Sequence, residues 1–167
     1  MSLFSFFKKT DKVGKDSAVS SQQLGKSKSQ SSANEVKTKL SYHPDWNVPK
    51  EQQYIFNFLA NELQPLQPNQ LSLSAINIEE DREGNWNVKA FFRSSLAQAT
   101  ELGNIELFVL DTEGNKIAGQ YFDFKQLGTI PPESARPWVF TFKKESIDAS
   151  EVPEEGWQLA FNLISLR

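Results

Sequence analysis

Residues Ile105-Glu106-Leu107-Phe108-Val109-Leu110-Asp111-Thr112-Glu113-Gly114-Asn115-Lys116-Ile117-Ala118-Gly119-Gln120-Tyr121-Phe122-Asp123-Phe124 decide the fold class. A nearly continuous apolar run reaches an Asp-to-Asn turn that carries a glycine, and a second run rich in branched and aromatic side chains returns from it. Glycine accepts the positive φ that a tight hairpin imposes, so this is the strongest hairpin signal in the chain.

The same grammar extends in both directions. Upstream, Leu71, Leu73 and Ala75 alternate with Ser72 and Ser74, after which Ile76 and Ile78 change parity as a bulge would make them do. Asp81 to Asn85 is another turn, and Trp86, Val88, Ala90 and Phe92 then share one face. Ser94 to Gly103 reads as a longer connection, and Gly128 to Pro137 as a proline-rich loop. Trp138, Phe140 and Phe142 point one way, and Trp157, Leu159, Phe161 and Leu163 form the last strand. Short strands without intervening helices predict a mainly β fold, an antiparallel immunoglobulin-like β-sandwich over 71–167.

One helix precedes it. Pro49 suits a first helical position, no Gly or Pro interrupts Lys50 to Leu63, and Pro65 and Pro68 end the run. Tyr54, Ile55, Phe58, Leu59 and Leu63 form an apolar stripe at helical spacing, which predicts a helix over about 50–63 packed on its own domain through that stripe.

The remaining residues differ in kind. Of 167 residues, the first 40 hold eight Lys against Asp11, Asp16 and Glu35, a charge of +5, while the other 127 carry 10 basic and 18 acidic residues, a charge of −8. Nine Ser and few aliphatics in that opening stretch leave too little apolar surface to offset the entropy of ordering, so 10–40 reads as a disordered Lys/Ser-rich tether and 41–167 as the domain. Residues 1–9 are different again. Leu3, Phe4, Phe6 and Phe7 precede Lys8 and Lys9, the reverse of a secretory signal, and they suit the headgroup region of an anionic membrane or a translocase surface.

Composition also limits the chemistry. With no Cys, thiol nucleophiles and Cys-ligated metals have no raw material, and a single His makes a His-based metal site or a Ser–His relay very hard to build. A phosphate loop, a nucleophile elbow and an EF-hand run are all absent, so the sequence predicts no catalytic residue, no cofactor and no metal. Glu79, Glu80, Asp81 and Glu83 flank a turn, and Glu145, Asp148, Glu151, Glu154 and Glu155 precede the last strand; both groups read as hydrated surface. Nucleic acid is disfavoured because the folded part is acidic and the basic tether lacks aromatics. His43, before Pro44, reads as structural or exposed.

One segment is compositionally unusual. In Leu127 to Phe142, three prolines, Pro131, Pro132 and Pro137, fix φ along a loop, and Arg136 and Trp138 flank the last of them. A rigid loop bearing a guanidinium and an indole is a recognition surface in outline, so these five residues are the candidate partner-binding set.

Several segments together carry a family resemblance. Asn87 to Leu96, Phe108 to Asp111, Ile117 to Phe124 and the loop ending Arg136-Pro137-Trp138-Val139-Phe140-Thr141-Phe142 resemble the SLAP domain of accessory Sec system S-layer assembly proteins of Gram-positive bacteria. Tyr42-His43-Pro44-Asp45-Trp46 and Asn61 to Leu66 are similar to that domain's lead-in, and the likeness spans about 41–145, room for a single copy. It implies a non-enzymatic helper that works with the accessory Sec ATPase in exporting S-layer proteins. The expected partner is therefore a protein, the ATPase or an S-layer client, and the expected location is the cytoplasm, peripheral on the inner face of the membrane. The competing expectation is an extracytoplasmic wall- or glycan-binding sandwich.

Overall fold

Two turns with the same five-residue pattern, Asp-X-Glu-Gly-Asn, organise the body. In each, the leading aspartate accepts from the backbone N–H groups two and four residues on: Asp81 from Glu83 and Asn85, Asp111 from Glu113 and Asn115. Gly84 and Gly114 take φ of 87° and 86°, the left-handed geometry at which a side chain would be strained. The first turn joins β2 (Leu71–Glu80) to β3 (Trp86–Ser94), and the second joins β4 (Asn104–Leu110) to β5 (Lys116–Asp123). The register of β2 on β3 shifts between Ala75 and Asn77, the bulge that the parity change required.

The computed structural model describes residues 34–164. Three further strands complete the fold: β1 (Lys39–Leu40), β6 (Ser134–Phe142) and β7 (Gln158–Leu163). They form a four-stranded sheet in the order β1-β6-β3-β2 and a three-stranded sheet in the order β5-β4-β7. All pairings are antiparallel except the short parallel contact of β1 with β6. The sheets face each other as a sandwich. Between them lie Val88, Phe92, Leu107, Phe124, Phe140 and Phe142, with Trp157 and Leu159 from the last strand and its approach. The Phe124 and Phe140 rings stack at 5.2 Å, an aromatic contribution beyond simple area burial.

The helix α1 (Lys50–Asn61) covers the outer face of the four-stranded sheet. Its N-terminus differs slightly from expectation, since Pro49 is extended (ψ 149°) and stands before the first helical residue. The buried stripe differs more. Phe56 and Leu59, continued by Leu63, pack with Val48, Ile76, Phe91 and Ala135, whereas Tyr54, Ile55 and Phe58 are exposed. At 100° per residue both sets lie on coherent faces, and the Phe56–Phe91 edge-to-face contact at 6.0 Å is what faces Phe56 inward.

The body also begins earlier than the composition implies. Val36 and Leu66 exchange backbone hydrogen bonds of 2.7 and 2.9 Å, and Lys39–Leu40 join the sheet, so residues 36–40 belong to the domain and not to the tether. Residues 1–33, and with them the expected contacts of Leu3, Phe4, Phe6, Phe7, Lys8 and Lys9, lie outside the described residues.

Candidate protein-docking groove

β6 begins at Ser134, so the segment read as a loop up to Pro137 is already strand. Its pairing with β3 is continuous from Ser134 to Phe142. Its other edge is uneven. Ser41 donates to the Ala135 carbonyl at 2.9 Å, where β1 ends. Six residues on, the Gln120 side chain reaches over from β5: its amide donates to the Thr141 carbonyl at 3.1 Å, and its oxygen accepts from the Lys143 N–H at 2.7 Å. Ala135 and Thr141 therefore turn their backbone groups away from β3, and the period of two assigns Pro137 and Val139 to the same side. A proline is tolerated there because its position has no ladder N–H to lose. Val139 is 37% exposed. Between the two covered ends, β6 thus presents a short stretch of edge.

A groove of about 490 Å³ runs beside that stretch, lined by His43, Asp45, Trp46, Gln126, Trp138 and Val139. The lead-in before α1 makes one wall. Trp46 N–H donates to the His43 carbonyl at 3.0 Å, and Asp45 N–H donates to His43 Nδ1 at 3.0 Å. With Nδ1 accepting, Nε2 is the nitrogen left to donate. His43 and Trp46 meet Trp138 at ring-centroid distances of 5.4 and 5.9 Å. Gly128, at φ 74°, lies against the His43 ring. A Cβ there would come within 3.3 Å of the His43 ring, a tight approach added to a backbone conformation that already favours glycine. A chain Trp46–Phe56 and Tyr42–Phe56, at 5.9 and 6.0 Å, anchors the wall to α1. The Tyr42 hydroxyl is shut away from solvent with no hydrogen-bond partner among the described residues, and burial pushes its pKa up.

Of the five candidate partner-binding residues, Trp138 lines the groove and Pro137 lies, buried, at its edge position. Pro131 and Pro132 lie outside the lining; the Pro131 carbonyl instead accepts from the Ser134 hydroxyl at 2.7 Å. Arg136 requires correction, because it is 3% exposed and offers nothing to a partner. Its Nε donates to the Ser41 carbonyl, one terminal nitrogen to the carbonyls of Leu127 and Thr129, and the other to the Ser41 hydroxyl and the Tyr42 carbonyl, at 2.6 to 3.3 Å. All five N–H groups of the guanidinium are used. Arg136 is a clamp that ties the lead-in and the 127–129 turn to β6, and its burial lowers its pKa. His43, Asp45, Trp46, Gln126 and Val139 were not singled out as site residues from sequence; the aromatic cluster Tyr42 to Trp46 was the one available signal.

The family model of the SLAP domain matches residues 40–163, nearly the whole described body. The chain belongs to the SLAP domain family. Comparison with curated proteins and with solved structures finds no match. The match to the SLAP domain opens within β1 and ends within β7, so it takes in both sheets, α1 and every groove residue. Among the described residues no group of His, Asp and Glu is gathered as a metal site would need. No helix there is long and apolar enough to cross a membrane.

Proposed function

We propose that this SLAP domain is a non-catalytic adaptor assisting the export and assembly of S-layer proteins through the accessory Sec pathway. On this reading it holds an extended segment of a protein partner, the accessory Sec ATPase or a secreted client, against the edge of β6. The observation that carries the proposal is the stretch of β6 edge at Pro137–Val139, left between Ser41 and Gln120 and walled by two tryptophans. An incoming strand gains main-chain hydrogen bonds from Val139, while Trp46 and Trp138 supply pockets for its alternate side chains. Domain and partner meet on the cytoplasmic side, with residues 1–9 touching the membrane or the translocase.

Val139→Pro is the sharpest test. It removes the outward N–H yet leaves the aromatic walls and the β3 pairing in place. Titration of the full chain with the purified ATPase and with client segments should show about tenfold weaker binding, since a hydrogen bond is worth roughly 1 kcal/mol and strand alignment is lost with it. Trp138→Ala should cost at least as much, as buried aromatic anchors usually do. Wild-type affinity in both variants would overturn the groove as the docking site. The aromatic walls with Asp45 and Gln126 also suit a sugar ring, which is the basis of a glycan-binding reading. Binding of a wall oligosaccharide that survives Val139→Pro but not Trp138→Ala would favour it.

A further inference from the structure

The outer face of α1 is the other surface whose chemistry is unusual. Tyr54, Ile55 and Phe58 are 77%, 45% and 49% exposed, three large apolar side chains within about 100° of helix circumference. Single exposed apolar residues are ordinary, but a contiguous set marks a contact. Glu51 and Glu62, both exposed, lie on the same side at the two ends of the patch. The chain itself arrives beside it: Lys37 to Leu40 line one cavity with Asn57, Ala60 and Asn61, so the first described residues run along the neighbouring side of the same helix.

We propose that Leu3–Phe7 of the same chain docks on this face of α1, with Lys8 and Lys9 beside one of its two acidic ends, and so masks its own aromatic anchor. Three Phe and a Leu match a Tyr, an Ile and a Phe in character, and Lys matches Glu in charge. The 26 residues from Lys8 to Ala33 give a root-mean-square reach of roughly 28 Å, against about 18 Å for the length of a 12-residue helix. Such a link holds the segment at an effective concentration of about 1 mM, so even a millimolar intrinsic Kd closes about half of the molecules. Docking competes with any membrane or translocase contact of the same residues, and displacement of the segment would couple anchoring to whatever binds the helix.

The absence of cysteine makes Ser5→Cys a unique site for a spin label on the full chain. Amide signals of α1 should broaden far more than those of β4, β5 and β7. The effect should vanish in Tyr54→Ser/Ile55→Ser/Phe58→Ser and equally in Phe4→Ser/Phe6→Ser/Phe7→Ser, which leaves the body untouched. Uniform broadening, or broadening that persists between labelled and isotope-enriched molecules mixed in dilute solution, would overturn the proposal, the latter in favour of a second copy. Phosphatidylglycerol vesicles give the second arm. Unmasking by the α1 triple variant should raise vesicle affinity at least about twofold, the reciprocal of the open fraction. A fall would place the helix face itself in the lipid and end the proposal. If neither protein binds vesicles, only the anchor assignment falls, and the broadening decides the docking.

Discussion

Arg136 and Trp138 stand two residues apart on the same face of β6, opposite Phe92 and Ala90, yet they do different work. At Arg136 the strand is closed: a buried cation meets five acceptors, three of them from Ser41 and Tyr42, more than 90 positions away in sequence. At Trp138 and Val139 the strand is half open, with an indole against His43 and Trp46 and an outward backbone. A sandwich can in this way keep an edge accessible without losing its register. Covering an edge entirely removes the aggregation hazard and the binding site together, whereas a short opening between two fixed points limits what can add to it.

The clamp is the more costly of the two to lose. Arg136→Ala strips the donor from four carbonyls and a hydroxyl that are wholly or partly buried, and the expected cost is about 3–5 kcal/mol. Thermal unfolding should move down by roughly 10 °C or more, and His43 and Trp46 should lose their fixed relation to Trp138. A variant that unfolds like the wild type would show that the lead-in is held by other means. A lysine at the same position does not rescue, since an ammonium cannot span five acceptors arranged as a fork.

A milder change acts at the other end of the opening. Gln120→Ala uncovers the Thr141 carbonyl and the Lys143 N–H, lengthening the accessible edge of β6. Stability should fall by about 1 kcal/mol, because both groups are exposed enough to turn to water. Self-association at high concentration should rise, measured by sedimentation, and partner strands should bind with unchanged or greater affinity. Weaker binding after Gln120→Ala would mean that the glutamine contacts the partner directly and does not set the boundary of its site.

How much of this was legible before any coordinates depended on the range of the interactions. Both hairpins were, because Asp, Gly and Asn act within five residues, and the bulge after Ala75 followed from parity alone. The extent of α1 was readable and its buried face only in part: Leu59 and Leu63 of the expected stripe are buried, but Tyr54, Ile55 and Phe58 are exposed, and it is Phe91, some 35 residues on, that draws Phe56 inward with them. The groove sits at the far end of that scale. Trp138 stood out by composition, but its neighbours His43 and Trp46 arrive through a parallel strand of two residues that no periodicity announces. Arg136 was noticed as a guanidinium flanking Pro137 on a rigid loop and given the wrong role, since the segment is strand and carbonyl acceptors leave no trace in side-chain identity.

The two hairpin turns supply the smallest effect, on the pH dependence of stability. In Asp111 the backbone N–H of Asn115 is the leading influence, joined by that of Glu113, and these hold the carboxyl below its ordinary 3.8. In Asp81 burial acts first and in the opposite direction, but the bonds from Asn85, Glu83 and Asn87 outweigh it and the net shift is again downward. A carboxyl whose folded pKa is depressed stabilises the fold fully above its unfolded value and loses that contribution as pH falls through the folded one. The advantage of the wild type over Asp111→Asn should therefore be constant at neutral pH and shrink below about pH 4, read as the difference in melting temperature between the two. A difference that stays flat down to pH 2 would show that the protonated carboxyl of Asp111 holds the Asn115 and Glu113 N–H groups as well as the carboxylate does, leaving the turn to geometry alone.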